Sequence, residues 1–297
     1  MNPQNFFDTH DILLLDGATG SHLIAKGLPT GECPELWNIS HKKQVQEIAV
    51  MYFTAGSDAV LTNTFGGSFL KLSSYGLQNR THELNYAGAR NAIEVKPSGR
   101  FVFGSIGPCG KILLPYGEVS EDEVTDSFRL QAKSLADAGV DGFMLETFLD
   151  IRELLCAVNA VKQVCELPFL ASLTYQLTPR GFYTMMGTGI EEEVAILIET
   201  GAFAIGSNCG NGIANMVQVG QQLRLASGAM KLLLKPNAGE PVLKDGVTCY
   251  TEDASDFKNH FAELAALKPL ILGGCCGTDA AHISVLRKLI DGLNKEM

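Results

Sequence analysis

The chain has 297 residues, of which 46% are hydrophobic and 19% charged, and its formal net charge is −10. This composition allows a large buried core, while the acidic balance, without a cluster of Lys and Arg, argues against nucleic acid as a partner. The first residues lack a basic segment followed by an apolar one, and no apolar run reaches the roughly 18 residues of a membrane span. We therefore expect a folded cytoplasmic protein with reduced cysteines, whose partners are small molecules or proteins.

Short apolar runs alternate along the chain with segments of helical periodicity, which is typical of βα units and a parallel sheet. The apolar runs predict strands at about residues 12–15, 59–61, 101–103, 142–145, 169–173, 204–206, 232–234 and 270–272. The helical segments lie near residues 41–55, 82–94, 121–138, 151–164, 191 onward, 216–225, 257–267 and 283–293. Eight βα units in a chain of this length predict an α/β fold, a single (β/α)8 TIM barrel that forms one domain over residues 1–297.

Polar residues stand at the points where these strands end. In a TIM barrel the C-terminal ends of the strands surround one mouth, and the active site is built there. The strand ends carry, in chain order, Asp16, Asn63-Thr64, Gly107-Pro108, Glu146-Thr147, Thr174-Tyr175, Asn208-Cys209, Asn237 and Cys275-Cys276. Only one strand separates the sixth strand end from the eighth, so we expect the cysteines of these two ends to approach each other.

Cys209, Cys275 and Cys276 are the candidate metal ligands and the catalytic centre. Three thiolates favour a borderline-soft divalent ion in tetrahedral geometry, for which zinc is the plausible choice, and three protein ligands leave a fourth position open for a substrate. A thiol that took this position would be held as the thiolate at neutral pH. The alternative is that the three cysteines are ordinary buried side chains of the core.

Asp16 and Glu146 are the second element of the candidate site. Two carboxylates at the mouth could hold an ammonium group, with the backbone N–H groups that follow them placed for a carboxylate, and together they would bind an amino acid. An acid/base pair and caps of the following segments are the alternatives. Thr64 and Asn237 are further candidates for substrate contact, although such residues at strand ends often only satisfy backbone groups. The pair Met185-Met186 is predicted to lie in the core, with a flexible lid as the alternative.

Seven phrases of the sequence resemble the homocysteine S-methyltransferase family, and most closely the homocysteine-binding barrel of cobalamin-dependent methionine synthase. They are DGATG, TNTFGGS, GSIGPCG, LETF, GSNCG, KPNAGEP and GGCCGTDAAHI. The resemblance covers essentially the whole chain. The resemblance implies that Cys209, Cys275 and Cys276 bind zinc. It also implies that Asp16, Gly17, Glu146 and Thr147 contact the amino acid part of homocysteine, with Asn237 bordering the same pocket.

The expected activity is a zinc-dependent transfer of a methyl group to the thiol of homocysteine, giving methionine. The resemblance to the corrinoid-dependent branch implies methylcobalamin or another corrinoid as donor, carried by a partner protein or domain, since the chain lacks the D-x-H-x-x-G corrinoid signature. The alternatives are a small donor (S-methylmethionine, S-adenosylmethionine or a betaine) and a non-catalytic homocysteine-binding sensor. Ser21-His22 and Glu240 depart from the methionine synthase pattern, which leaves open a corrinoid methyltransferase that acts on another thiol or on a methylamine.

Overall fold

The fold is known from a computed structural model, which describes residues 3–244 and 247–296. Eight parallel strands flanked by helices form a nearly closed α/β barrel of the TIM type, as predicted. The strands lie in the order β1-β12-β9-β8-β5-β4-β3-β2. Their bounds are β1 Ile12–Leu14, β2 Ala59–Leu61, β3 Phe101–Ile106, β4 Gly142–Phe148, β5 Phe169–Leu173, β8 Ala204–Asn208, β9 Leu232–Lys235 and β12 Leu270–Leu272.

Helices cover the outside of the barrel and hold the strands in place. The capping box at Ser120 shows how the sequence starts one of them. The Ser120 hydroxyl accepts a hydrogen bond from the Glu123 N–H, and the Glu123 carboxylate accepts one from the Ser120 N–H. None of the described helices is long and apolar enough to cross a membrane. The helices are α1 Gly20–Ala25, α2 Trp37–Ser40, α3 Lys42–Ala55, α4 Phe69–Ser73, α5 Thr81–Glu94, α6 Glu121–Ala138, α7 Ile151–Val164, α8 Ile190–Glu199, α9 Ile213–Ser227, α10 Ala254–Ala265 and α11 Ala280–Glu296.

The strand residues alternate between two apolar cores. One set packs between the sheet and the helices, as Leu232 and Leu234 of β9 do. The other set, which includes Leu233 and Met144, fills the inside of the barrel. Since side chains of a strand point alternately to its two faces, Lys235 points inward like Leu233. The inner core therefore gives way to the polar side chains of the strand ends at the mouth.

Two aspartates close the seam between β1 and β2, which share no backbone ladder within the described part of the chain. The Asp58 N–H donates to the Leu14 carbonyl at 2.7 Å. The Leu14 N–H donates to Oδ2 of Asp58 at 2.9 Å, and the Leu61 N–H donates to Oδ2 of Asp16 at 2.7 Å. The carboxylates thus accept backbone N–H groups that a neighbouring strand would otherwise satisfy.

Two short hairpins lie outside the barrel sheet. The segment after β5 contains β6 Gln176–Thr178 and β7 Gly181–Tyr183, and a second hairpin consists of β10 Pro241–Lys244 and β11 Val247–Tyr250. Met185 and Met186, which follow β7, are 63% and 48% exposed. The prediction that they belong to the core is therefore wrong, because they follow a hairpin that lies outside the barrel sheet.

Glu193 on α8 should make stability depend on pH. Its side chain is fully buried, and burial raises its pKa to about 7 although the Tyr175 and Thr184 hydroxyls act in the opposite direction. Because the folded state then holds a proton that the unfolded chain releases from about pH 4.5 upward, this contribution to stability is present at low pH and is lost as the pH rises to about 7.

The Glu193→Gln variant tests this coupling, since it cannot lose a proton. Between pH 5 and pH 8 its free energy of unfolding should improve relative to wild type by roughly 2 to 3 kcal/mol. Urea unfolding of both proteins at the two pH values measures the difference. A pH-independent difference would contradict a protonated Glu193 in the folded protein.

Candidate active site

The three candidate cysteines come together at the mouth of the barrel. Cys209 follows β8, and Cys275 and Cys276 follow β12, with β9 between the two strands. Their sulfur atoms all lie within 4.8 Å of one another, and Sγ of Cys209 is 3.9 Å from Sγ of Cys276. The alternative of three unrelated core side chains would not require this convergence from two separate strand ends.

The donor set and spacing of this cluster fit a tetrahedral zinc ion. A Zn–S bond of about 2.3 Å implies roughly 3.8 Å between two sulfur ligands, close to the distance between Cys209 and Cys276. Neighbouring thiols and burial oppose ionisation of the bare cluster: the contact with Cys209 and burial raise the pKa of the Cys275 thiol to about 12. A divalent cation reverses this preference, since it stabilises coordinated thiolates.

Cys209 and Thr147 both adopt left-handed backbone conformations, with φ of 60° and 63°. They are the non-glycine residues of the described chain with positive φ, a conformation that costs of order 1 kcal/mol or more and that concentrates at functional sites. Both residues line the same cavity. The strain is therefore confined to the two strand ends that carry candidate site residues.

Asn208 holds these two strained residues in place, a role that the sequence analysis did not assign to it. Its Oδ1 accepts the Thr147 N–H at 2.8 Å and the Ser172 hydroxyl at 2.7 Å, and its Nδ2 donates to Oγ1 of Thr147 at 2.7 Å. The same Nδ2 lies 3.6 Å from Sγ of Cys275. Asn208 thus connects the cysteine cluster with the end of β4.

The Asn208→Ala variant should weaken metal binding by about 10- to 100-fold, the usual effect of losing a residue that orients a ligand. Zinc affinity measured by competition with a chromogenic chelator reports this directly. The matched control is Ser172→Ala, which removes a single hydrogen bond to Asn208 and leaves its contacts with Thr147 and Cys275 in place. Equal zinc affinities in the two variants would show that Asn208 does not position the cluster.

Lys235 lies between the two candidate carboxylates, an arrangement that the sequence analysis missed. Its Nζ is 3.5 Å from Oδ1 of Asp16 and 3.7 Å from Oε2 of Glu146, and its side chain is 2% exposed. Burial alone would lower the pKa of Lys235, but the carboxylates of Glu146 and Asp16 raise it overall. The alternation of β9 could have revealed this residue, because Lys235 has the same parity as the inward-facing Leu233.

A cavity of about 380 Å³ opens at the mouth beside the cluster. The three cysteines line it together with Gly17, Thr147, Glu146 and Lys235. Its lining also includes side chains that were not predicted from sequence: Glu35, Phe65, Lys71 and Tyr75.

The remaining predicted residues lie around this cavity, and some of them lie behind its wall. Asp16 is buried and borders a smaller neighbouring cavity. The Thr64 hydroxyl donates to the Ser105 carbonyl at 2.8 Å, and Thr64 is not among the residues that line the larger cavity. Asn237 is buried and is likewise not a lining residue. The structure thus brings Gly17, Glu146 and Thr147 to the cavity surface together with the cysteines.

Comparison with known proteins gives matches over nearly the whole chain. The family model for homocysteine S-methyltransferase matches residues 13–290. Among curated proteins, the methionine synthase of Mycobacterium tuberculosis is 30% identical over 292 residues, and that of Mycobacterium leprae is 29% identical over 292 residues. Each alignment covers 92% of this chain, and the chain spans only 24% of the length of either relative.

Solved structures give the same fold. The metallated form of the homocysteine methyltransferase MmuM from Escherichia coli superposes with a TM-score of 0.79 at 21% identity, covering 95% of this chain and 98% of that protein. Its oxidized form superposes with a TM-score of 0.80 at 22% identity, covering 97% and 100%. At this level of identity the similarity establishes the barrel fold alone.

Proposed function

The chain belongs to the homocysteine S-methyltransferase family, and from this premise we propose that it transfers a methyl group to the sulfur of homocysteine in a zinc-dependent reaction that gives methionine. The observation that carries the proposal is the convergence of Cys209, Cys275 and Cys276 beside a cavity that also contains charged groups. A zinc ion bound by these thiolates would hold the substrate sulfur as a thiolate at neutral pH.

The residues of the chain would bind and orient the thiol substrate. With its sulfur at the cysteine cluster, the amino acid part of homocysteine would lie along Gly17, Glu146 and Thr147, which line the same cavity. Asp16 does not line this cavity and would influence the substrate through Lys235, whose Nζ lies 3.5 Å from Oδ1 of Asp16. The methyl carbon would arrive from the open side of the cavity, and the new S–C bond would form as the bond from this carbon to the donor breaks.

The donor in this proposal is a methyl-corrinoid presented by a partner protein or domain. Support comes from exposed apolar side chains on the loops around the mouth, since an exposed apolar rim around a site is typical of a docking surface for a macromolecule. The loops after β2, β3 and β5 carry them: Phe65, Ile112, Leu114, Tyr116, Leu177, Met185 and Met186, which are 41% to 79% exposed. A small donor would need no such rim.

We further propose that the barrel acts as one domain. β1 pairs with β12, so the first and last strands of the barrel are direct neighbours in the sheet. If the chain were split into two domains, these two paired strands would fall into different domains, and each would be left with an unpaired edge.

The decisive experiment supplies the zinc-loaded protein with homocysteine and one methyl donor at a time: methylcobalamin, S-methylmethionine, S-adenosylmethionine or betaine. Methionine is quantified by mass spectrometry, with homocysteine and donor alone as the blank. Methionine from methylcobalamin supports the proposal in full, and methionine from a small donor alone would replace the corrinoid by that donor. No methionine from any donor, with homocysteine still bound, would identify a sensor.

A further inference from the structure

The segment that carries Cys275 and Cys276 lies beyond the regular pairing of the sheet. The backbone hydrogen bonds between the β1 and β12 segments end where the Gly274 N–H donates to the Asp16 carbonyl at 2.9 Å. From this point onward, the described residues of the two segments are connected through side chains. The position of the two cysteines relative to the loop after β1 therefore depends on individual side-chain hydrogen bonds.

Thr278 makes the central connection between the two segments. Its Oγ1 accepts the Ala18 N–H at 3.2 Å and donates to the Cys275 carbonyl at 2.7 Å, and the residue is buried. Gly17, which precedes Ala18, lines the cavity together with Cys275. A single hydroxyl thus links a candidate metal ligand to the loop that borders the cavity.

Tyr52 on α3 holds the same link from the helical layer. Its fully buried hydroxyl lies 2.8 Å from the Ala18 carbonyl oxygen and 3.2 Å from that of Thr278, so that it donates between the two. Two glycines allow this close contact. A Cβ atom at Gly17 would lie 2.7 Å from Oγ1 of Thr278, and one at Gly274 would overlap with the same hydroxyl. Residues of three segments are therefore arranged around the Thr278 side chain.

This link bears on metal binding because the orientation of a ligand sets its contribution to metal affinity. Residues that orient a ligand typically contribute 10- to 100-fold to the affinity. Cys275 follows Gly273-Gly274, whose backbone has more conformational freedom than that of other residues. Its N–H donates to the Pro236 carbonyl at 2.7 Å, and its carbonyl accepts the Thr278 hydroxyl. These two hydrogen bonds fix the peptide groups on both sides of the Cys275 side chain.

We propose that Thr278 is a positioning residue of the metal centre. Its hydroxyl holds the Cys275 peptide against the Gly17-Ala18 loop, so that the zinc ligand and the loop that borders the substrate keep one relative position. The role rests on the zinc-dependent methyl transfer proposed above, which assigns zinc to the cysteines and the amino acid part of the substrate to this loop. Thr278 acts through its neighbours, since it is not among the residues that line the cavity.

The Thr278→Val variant tests this role, because valine has nearly the same shape as threonine and lacks the hydroxyl. We expect its zinc affinity, measured by competition with a chromogenic chelator, to fall by at least about tenfold. Thr278→Ser keeps the hydroxyl and should recover most of this loss. A fall of less than about tenfold in Thr278→Val, or equal zinc affinities in the two variants, would overturn the proposal.

Thr200→Val is the matched control. Thr200 is also buried, and its Oγ1 likewise donates to the carbonyl three residues earlier, that of Leu197, at 2.6 Å and accepts a backbone N–H, that of Ala202, at 3.3 Å. It lies just before β8, at the end of the barrel opposite to the mouth. Its replacement should lower stability to denaturant and leave zinc affinity at the wild-type level. Equal losses of zinc affinity in the two valine variants would refute a specific role of Thr278.

Tyr52→Phe provides a second test that does not depend on the folding of Thr278→Val. It removes one hydroxyl from the same contact and keeps the aromatic ring in the core. The expected fall in zinc affinity is about 3- to 10-fold, which corresponds to one hydrogen bond that holds the loop and not Cys275 itself. If Thr278→Val does not fold, a wild-type zinc affinity in Tyr52→Phe would overturn the proposal.

Zinc affinity is measured without a methyl donor, so that failure of this inference is distinguishable from failure of the proposed function. Methionine formed by the wild-type protein, together with equal zinc affinities of wild type and Thr278→Val, would refute the role of Thr278 and leave the function intact. No methionine from any donor, together with the expected loss of zinc affinity in Thr278→Val, would refute the function and support the positioning role.

Discussion

Replacement of Cys276 by alanine is expected to abolish stoichiometric zinc binding and to lower methyl transfer by about 10³-fold or more, since a metal contributes several kcal/mol to such reactions. The remaining sulfur atoms, those of Cys209 and Cys275, form an incomplete ligand set. The variant should still fold, because Cys276 is only partly buried at the mouth and does not belong to the apolar core. Metal analysis of the purified protein and the methionine assay measure the two effects.

Cys165→Ser is the matched control for this experiment. Cys165 is also a partly buried free cysteine, but it lies at the C-terminal end of α7, away from the mouth of the barrel. Its replacement should leave zinc content and activity at the wild-type level. Full zinc occupancy in Cys276→Ala would contradict the three-thiolate site, whereas zinc loss in both variants would indicate a general defect of folding.

Asp58→Asn is expected to lower the free energy of unfolding by about 2 to 3 kcal/mol without changing the active site. The Asp58 carboxylate is 5% exposed, forms an ion pair with Arg100, and lies 3.2 Å from Nη1 of Arg287. Removing one member of a buried charge cluster costs about 3–5 kcal/mol, and the partial exposure of the two arginines reduces this value because water can solvate them. Asparagine can still accept the Leu14 N–H, so the variant isolates the loss of charge.

Denaturant unfolding of Asp58→Asn, with Asp291→Asn as control, measures this effect. Asp291 pairs with Arg287 at 2.8 Å, but its side chain is 54% exposed, so its replacement should change stability by less than about 1 kcal/mol. Zinc affinity should equal that of wild type in both, since Asp58 closes the barrel seam away from the cysteines. A similar loss of stability in both variants would mean that the seam does not depend on Asp58.

The strands and the long helices were predictable because each carries its own periodicity. Residues 169–173 and 270–272 form strands with the predicted bounds, and α7 has the predicted bounds as well. β3 and β4 extend three residues beyond their predicted ends, to Ile106 and Phe148. Glu146-Thr147 had been interpreted as following the end of a strand, although in a barrel the inward-facing layer at the mouth is polar.

The sequence by itself determined the barrel, the family and the residue types of the site. Eight apolar runs with helical segments between them require a parallel sheet, and cysteines at the sixth and eighth strand ends must then lie near each other. These conclusions depend on the order and spacing of residues along the chain, which the sequence contains directly.

Only the tertiary structure decided how the charged groups share the site. Asp16 and Glu146 lie 130 residues apart in the sequence, and Lys235 follows Glu146 by another 89 residues. The local pattern around each of them does not say whether a side chain or a ligand fills the space between the carboxylates. That choice depends on the stagger of the strands around the barrel, which places Nζ of Lys235 3.5 Å from Asp16 and 3.7 Å from Glu146. The three-dimensional arrangement therefore places a cation of the protein itself between the two carboxylates of the predicted ammonium site.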